Sequence, residues 1–159
     1  MFEKPQSEHR WFEDLLGDWT AEGECVMGPD QPPMKTASRA TVRTVGGLWF
    51  ITETEGKGPD GNPFLSVATL GYDIKRGKYV GTFIGSMGSY QWVYEGSLDS
   101  SGKQLVLDCD GPGFDGASVA HYQDIVEKVS PDHWVLRSRV QLVDGSWNSF
   151  MQSHHHRVK

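Results

Sequence analysis

The chain has 159 residues, a formal net charge of −6 and a pI near 5.4, with Lys and Arg scattered along it. That balance argues against a nucleic-acid surface, which needs a basic face, and no apolar run approaches the length of a membrane span. The length suits one domain, 1–159, with a core that needs neither disulfide nor metal, while 19 glycines and 11% aromatics point to many strands joined by turns.

Ser7 is a fitting N-cap, and Trp11, Phe12, Leu15 and Leu16 form one apolar helical stripe, so a short helix is expected over 7–16 with Gly17 as its stop. Such a helix is too short to stand alone and must pack on something. From Trp19 the period becomes two: Trp19, Ala21, Gly23, Cys25 and Met27 share one face, and Thr20, Glu22 and Glu24 the other. Nine further strands are predicted, giving spans of 18–27, 36–45, 48–56, 63–72, 78–86, 90–98, 104–110, 118–129, 133–143 and 146–157. The turns between them are short and rich in Gly, Pro and Asp, which implies antiparallel neighbours in a meander.

Ten strands left open would expose two long edges, so the expected fold is all-β: a closed up-and-down antiparallel barrel over 18–157. In a meander alternate turns fall at opposite ends. The compact turns near 46–47, 73–77, 99–102 and 130–132 share one end, which the helix can plug; the longer ones near 28–35, 57–62 and 111–117 share the other with 86–89. One stoppered end and one loop-lined end is the layout of a ligand cup.

Gly17-x-Trp19 after a short helix, opening a meander barrel, resembles the calycins: lipocalins, fatty-acid-binding proteins and relatives. In those families a basic residue on the last strand packs over the tryptophan, and Arg157 is the matching position, which makes Gly17, Trp19 and Arg157 structural residues. A closer resemblance runs through Leu16-Gly17-Asp18-Trp19, Glu22-Gly23, Gly46-Gly47-Leu48-Trp49, Thr69 to Asp73, Tyr79 to Phe83, Trp92 to Gly96 and Phe150-Met151, which are similar to the bacterial domain-of-unknown-function 1579 family. That family implies a calycin-like barrel and supplies no catalytic residues. The nitrobindins, a calycin branch that holds haem through a histidine near the C-terminus, share the opening motif, but Gln152 stands at the matching place. Haem would then need His121 or His155, and no cofactor is assigned.

Two Gly-x-Gly-x-x-Gly matches, at Gly56 and Gly111, precede strands rather than helices and are turns, not phosphate cradles. No nucleophile elbow, His-Glu-x-x-His or Cys-x-x-Cys is present. The same-face pairs Glu22/Glu24, Glu53/Glu55 and Asp108/Asp110 are expected on the solvated wall. His154 to His156 alternate faces on a strand, so no metal site is assigned; if Trp147 and Met151 point inward, His155 does too.

The expected function is binding of a small apolar or amphipathic molecule inside the barrel, lined by Phe64, Met87, Tyr90, Trp92, His121, Trp147 and Met151. A small-molecule enzyme using His121 or an inward carboxylate is the less favoured alternative, and a solid barrel serving as a structural or dimerisation module is another. A homodimer stays open. Two cysteines without a secretory leader lead to the expectation of free thiols in the cytoplasm. The inward faces of 48–56, 104–110 and 118–129 are not readable from the pattern.

Overall fold

The computed structural model describes residues 1–26 and 30–159. Ten strands close into one antiparallel up-and-down barrel: β1 Gly17–Cys25, β2 Met34–Val45, β3 Trp49–Lys57, β4 Pro63–Asp73, β5 Lys78–Gly85, β6 Gly88–Leu98, β7 Gln104–Pro112, β8 Val119–Ser130, β9 His133–Gln141 and β10 Trp147–Arg157. Each strand pairs with its sequence neighbours, and β10 returns to pair with β1, from Trp19 opposite Arg157 to Cys25 opposite Met151. The even strand number makes this last pairing antiparallel, and no edge remains. Met27 and the turn residues Gly28 and Pro29 lie outside the described residues. Among those described, no helix is long and apolar enough to cross a membrane.

The segment expected as one helix over 7–16 is shorter and tighter. It is a single α turn, α1 Ser7–Arg10, continued by a 3₁₀ stretch, Trp11–Leu15. Its N-cap is Gln6 rather than Ser7: the Gln6 backbone N–H donates to Nδ1 of His9 at 2.9 Å, closing a capping box. The 3₁₀ winding brings residues three apart into line, so Phe12 and Leu15 are both buried in the barrel mouth they face. Around them, Tyr79 donates its hydroxyl to the Glu8 carbonyl at 3.1 Å, Trp11 Nε1 donates to the Gly102 carbonyl at 2.7 Å, and Lys128 pairs with Asp14 at 2.9 Å. Connections 46–48, 74–77, 99–103 and 131–132 share this plugged end; 58–62, 86–87, 113–118 and 142–146 lie at the open one, as do the described residues 30–33 before β2.

The plug is fastened by Arg157. Its guanidinium lies 4.3 Å from the Trp19 ring centroid and donates to the carbonyls of Leu16 at 2.7 Å, Asp14 at 2.9 Å and Pro131 at 2.9 Å. Trp19 Nε1 donates to the Leu15 carbonyl at 2.9 Å, so the indole joins the helix end as well. Gly17 allows the approach: its φ of +119° disfavours other residues, and an added Cβ would lie 2.9 Å from Arg157 Nη1. Beyond Trp19 the stack continues inward to Trp134, edge-on at 6.0 Å, and to His155, whose ring lies flat on Trp134 at 3.6 Å.

Replacing Arg157 by Ala removes one cation–π contact and leaves three carbonyl partners short of a donor, so unfolding in urea should show a loss of about 3 kcal/mol with the denaturant slope unchanged. Arg157→Lys should recover only part, because an ammonium cannot fork to several carbonyls. A loss below about 0.5 kcal/mol for the alanine variant would show that the plug holds without it.

Candidate functional site

Pairing partners settle the inward faces. Thr52 and Thr54 stand opposite Val42 and Ala40 on the inner side of β3; Leu105, Leu107 and Cys109 point inward from β7; Tyr122, Asp124 and Val126 do so from β8. Glu22, Glu24, Glu53, Glu55, Asp108 and Asp110 point outward. The plugged half is filled by Phe12, Trp19, Val42, Phe50, Tyr79, Leu105 and Val126. In the open half, many inward side chains are only half-buried: Ser38, Thr52, Thr54, Ala68, Phe83, Trp92, Met151 and Ser153 keep accessible surface while pointing into the barrel.

This space has two unlike walls. On one side Ser38, Thr52, Thr54, Ser66 and Ser153 present hydroxyls that form no side-chain hydrogen bond with a described residue. Facing them is a chain of edge-on aromatic rings: Phe114 to Phe150 at 5.1 Å, Phe150 to Tyr122 at 6.0 Å, Tyr122 to Trp92 at 5.1 Å and Trp92 to Tyr90 at 4.9 Å. Gly111 admits this packing, since a Cβ there would meet the Trp92 ring at 2.1 Å.

Inside, midway along β8, sits Asp124. Tyr94 donates its hydroxyl to Oδ2 at 2.5 Å and Ser138 donates to Oδ1 at 2.6 Å. The protein encloses this carboxyl, yet the residue retains accessible surface, so it borders the interior space. Burial raises its pKa, only partly opposed by the Ser138 and Tyr94 bonds. Burial, with the Asp124 charge behind it, also pushes the Tyr94 phenol well above its ordinary value and the Cys109 thiol up to about 12. Cys109 is therefore a thiol rather than a nucleophile.

The expected lining residues fall into three groups. Phe64, Trp92 and Met151 point inward. Met87 and Tyr90 stand at the rim, both largely exposed; Tyr90 donates to the Asp110 carbonyl at 2.9 Å, and Met87 and Phe64 border a mouth pocket of about 480 Å³ with Met34, Pro59 and Asn62. His121 and Trp147 lie on the outer wall instead. His121 pairs across from Asp110 and holds two carboxylates, Nδ1 to Asp110 at 2.7 Å and Nε2 to Asp108 at 2.9 Å. These bonds, Asp110's first, raise its pKa. Trp147 lies beside it under the Arg139 guanidinium, 4.6 Å from the ring. A bulge between Ser149 and Met151 inserts one residue into β10 and reverses the alternation, so Trp147 faces out while Met151 and His155 face in.

Neither histidine suits haem. Both His121 nitrogens are engaged by carboxylates outside the barrel. His155 is inside but only 4% exposed, one ring face flush on Trp134, with Nδ1 packed and without a hydrogen-bond partner among the described residues. An iron atom would need that packing to come apart. Burial pushes the His155 pKa down to about 4, so the ring is neutral. On the outer wall His133, His154 and His156 cluster, with His133 and His156 stacked at 4.5 Å and His133 hydrogen-bonded to His154 at 2.9 Å; among the described residues no three His, Cys, Asp or Glu form a metal site. A broad depression of about 1150 Å³ also crosses β1 to β4, bordered by the outward Glu22, Arg39, Glu55 and Lys57 and by the inward-phase Ala21, Ser38 and Phe64.

The model of the family described as protein of unknown function (DUF1579) matches residues 4–157. The chain belongs to that family. No curated protein matches this DUF1579 chain in sequence. Among solved structures, the crystal structure of Rv2717c from M. tuberculosis is similar at a TM-score of 0.68 and 14% identity, covering 98% of this chain and 100% of that one. A de novo designed fluorescence-activating β-barrel is similar at 0.52 and 12%, covering 92% and 95%, and EF1p2_mFAP2b bound to DFHBI at 0.52 and 10%, covering 95% and 99%. At these identities the likeness is one of fold.

Asp124 tests its own burial. The fold holds its proton to higher pH than the unfolded chain does, so its stability contribution is complete below the unfolded carboxyl value of about 3.9 and is lost as pH rises through the raised folded value. Asp124→Asn should therefore gain stability over the parent at about pH 7 and lose that advantage near about pH 3.5, read from urea midpoints. An equal difference at both pH values would show that the carboxyl is not perturbed.

Proposed function

We propose that this chain is a small-molecule-binding barrel whose ligand enters at the loop-rimmed end and rests between the hydroxyl wall and the aromatic chain. One observation carries this reading: the plugged half is packed, whereas inward side chains of the open half keep both accessible surface and unpartnered hydroxyls. Packing alone would fill such positions with apolar side chains, because buried hydroxyls without partners are unfavourable. A pocket with apolar walls and a few placed polar groups is what a small ligand requires. The ligand this interior suits is amphipathic, with an apolar face for Phe83, Trp92 and Met151 and a hydrogen-bonding edge for Ser66, Thr54 and Asp124. The DFHBI-bound barrel of similar fold supports the reading in architecture, not in ligand identity.

The enzyme alternative has less to stand on. Its expected base, His121, faces solvent with its carboxylates, and the inward acid Asp124 is bonded to two hydroxyls and no histidine.

The neutral fluorophore N-phenyl-1-naphthylamine is a suitable probe. Its emission should rise on mixing with the protein and fall on filling the interior: Ala68→Phe, inward between Thr52 and Phe83, should weaken binding by about tenfold or more, equivalent to about 1.4 kcal/mol. Trp92→Ala should likewise reduce binding more than stability. Binding and stability losses in proportion for both variants would mark the interior as packed core.

A further inference from the structure

Resting on that reading, the interior also has a charge preference. Asp124 is bonded only by neutral hydroxyls, and no Lys, Arg or His among the described residues lies within ion-pair distance of it. Each carboxyl oxygen accepts one hydrogen bond, which leaves acceptor capacity unused. Opposite, the hydroxyl of Ser66 has no hydrogen-bond partner among the described residues, although Ser66 is only 7% exposed. A carboxyl enclosed without a counter-charge is an unfavourable arrangement that an entering cation relieves.

The entrance carries the same sign. Of the five open-end connections, four hold one aspartate each, Asp30, Asp60, Asp115 and Asp144, and none of the five contains Lys or Arg. Loop hydrogen bonds, from Asn62, Ser118 and Ser146 in turn, hold Asp60, Asp115 and Asp144 below the usual carboxyl range and keep them ionised. The plugged-end turns are mixed in sign, with Lys75, Arg76 and Lys103 beside Asp99 and Asp132. An acidic mouth raises the local concentration of cations and steers them inward. Behind it, Trp92 stands two residues from Tyr94 on the same inner face, so aromatic surface adjoins the carboxyl and favours a cation by its ring quadrupole.

We infer that the barrel selects small aromatic amines, with the protonated amino group meeting Asp124 and the ring lying against Trp92 and Phe83. A matched set of probes tests this: 1-naphthylmethylamine, 1-naphthylmethanol and 1-naphthoic acid, each titrated by calorimetry and by displacement of N-phenyl-1-naphthylamine. The amine should bind at least about tenfold more tightly than the alcohol, and the acid more weakly than either. In Asp124→Asn the amine-to-alcohol ratio should fall to about one. Tyr94→Phe, which keeps the acid and removes one of its bonds, should retain the preference and guards against a folding defect in the first variant. An alcohol that binds as well as the amine, or a ratio unchanged in Asp124→Asn, would overturn the charge inference while leaving interior binding in place. Failure of the fluorophore and all three probes to bind would overturn both.

Discussion

The barrel depends on one contact at its closed end. Arg157, the last residue of β10, reaches over Trp19 near the start of β1 and bonds carbonyls from the helix end and from the β8–β9 turn. Closing a ten-stranded sheet requires its first and last strands to meet, and these two residues are direct partners in that pairing. The guanidinium is suited to the place: it is planar, so it stacks on the indole, and its several donors satisfy carbonyls left bare where the helix stops. Gly17 is part of the same device, because any side chain there would press on the guanidinium. Through Trp134 and His155 the stack runs down into the packed half, so the plug and the core form one rigid unit.

Rigidity at one end is what allows openness at the other. Many of the aromatic and aliphatic side chains that supply the burial are concentrated around the plug, and on β2 and β3 the inward positions beyond them are taken by Ser38, Thr52, Thr54 and Gly56. A barrel so divided can leave space inside without relying on that space for stability. The bulge in β10 belongs to the same division. By shifting the alternation at Phe150 it turns Trp147 out to join Arg139 and His121, and lets Phe150 reach Tyr122 and Phe114 at the mouth.

Much of this was legible in the sequence, and what was not has identifiable causes. Period-two alternation in β1, the turn residues and the alternation of long and short connections were enough for the closed barrel, its strand number and the plugged end. The helix came out shorter because a four-residue turn plus a 3₁₀ stretch leaves the same apolar stripe as a regular helix. The outward placement of His121 and Trp147 is hidden in the sequence because β8 and β10 carry polar residues on both faces, and a bulge leaves no mark in hydropathy. Asp124 is hidden for a related reason: Ile125 makes the opposite phase of β8 look equally eligible for the core. The available clue was its place between Tyr122 and Val126 at spacing two, an acid set into an otherwise apolar row.

An acid in such a row restricts which molecules can occupy the barrel. Hydroxyls on the facing wall accept and donate, and so discriminate little between ligands of different charge. Aromatic surface rewards area and shape. A carboxyl in a water-poor interior is different, because an anion brought near it adds repulsion, a neutral apolar group leaves it uncompensated, and only a donor, above all a charged one, improves its situation. Replacing Asp124 with an apolar residue would fill the same volume without that demand. The two hydroxyls that orient the carboxyl, from Tyr94 on β6 and Ser138 on β9, come from the strands on either side of the β7–β8 pair. The acid is thus held in direction by the barrel wall itself, and the interior is specific in charge even where it is permissive in shape.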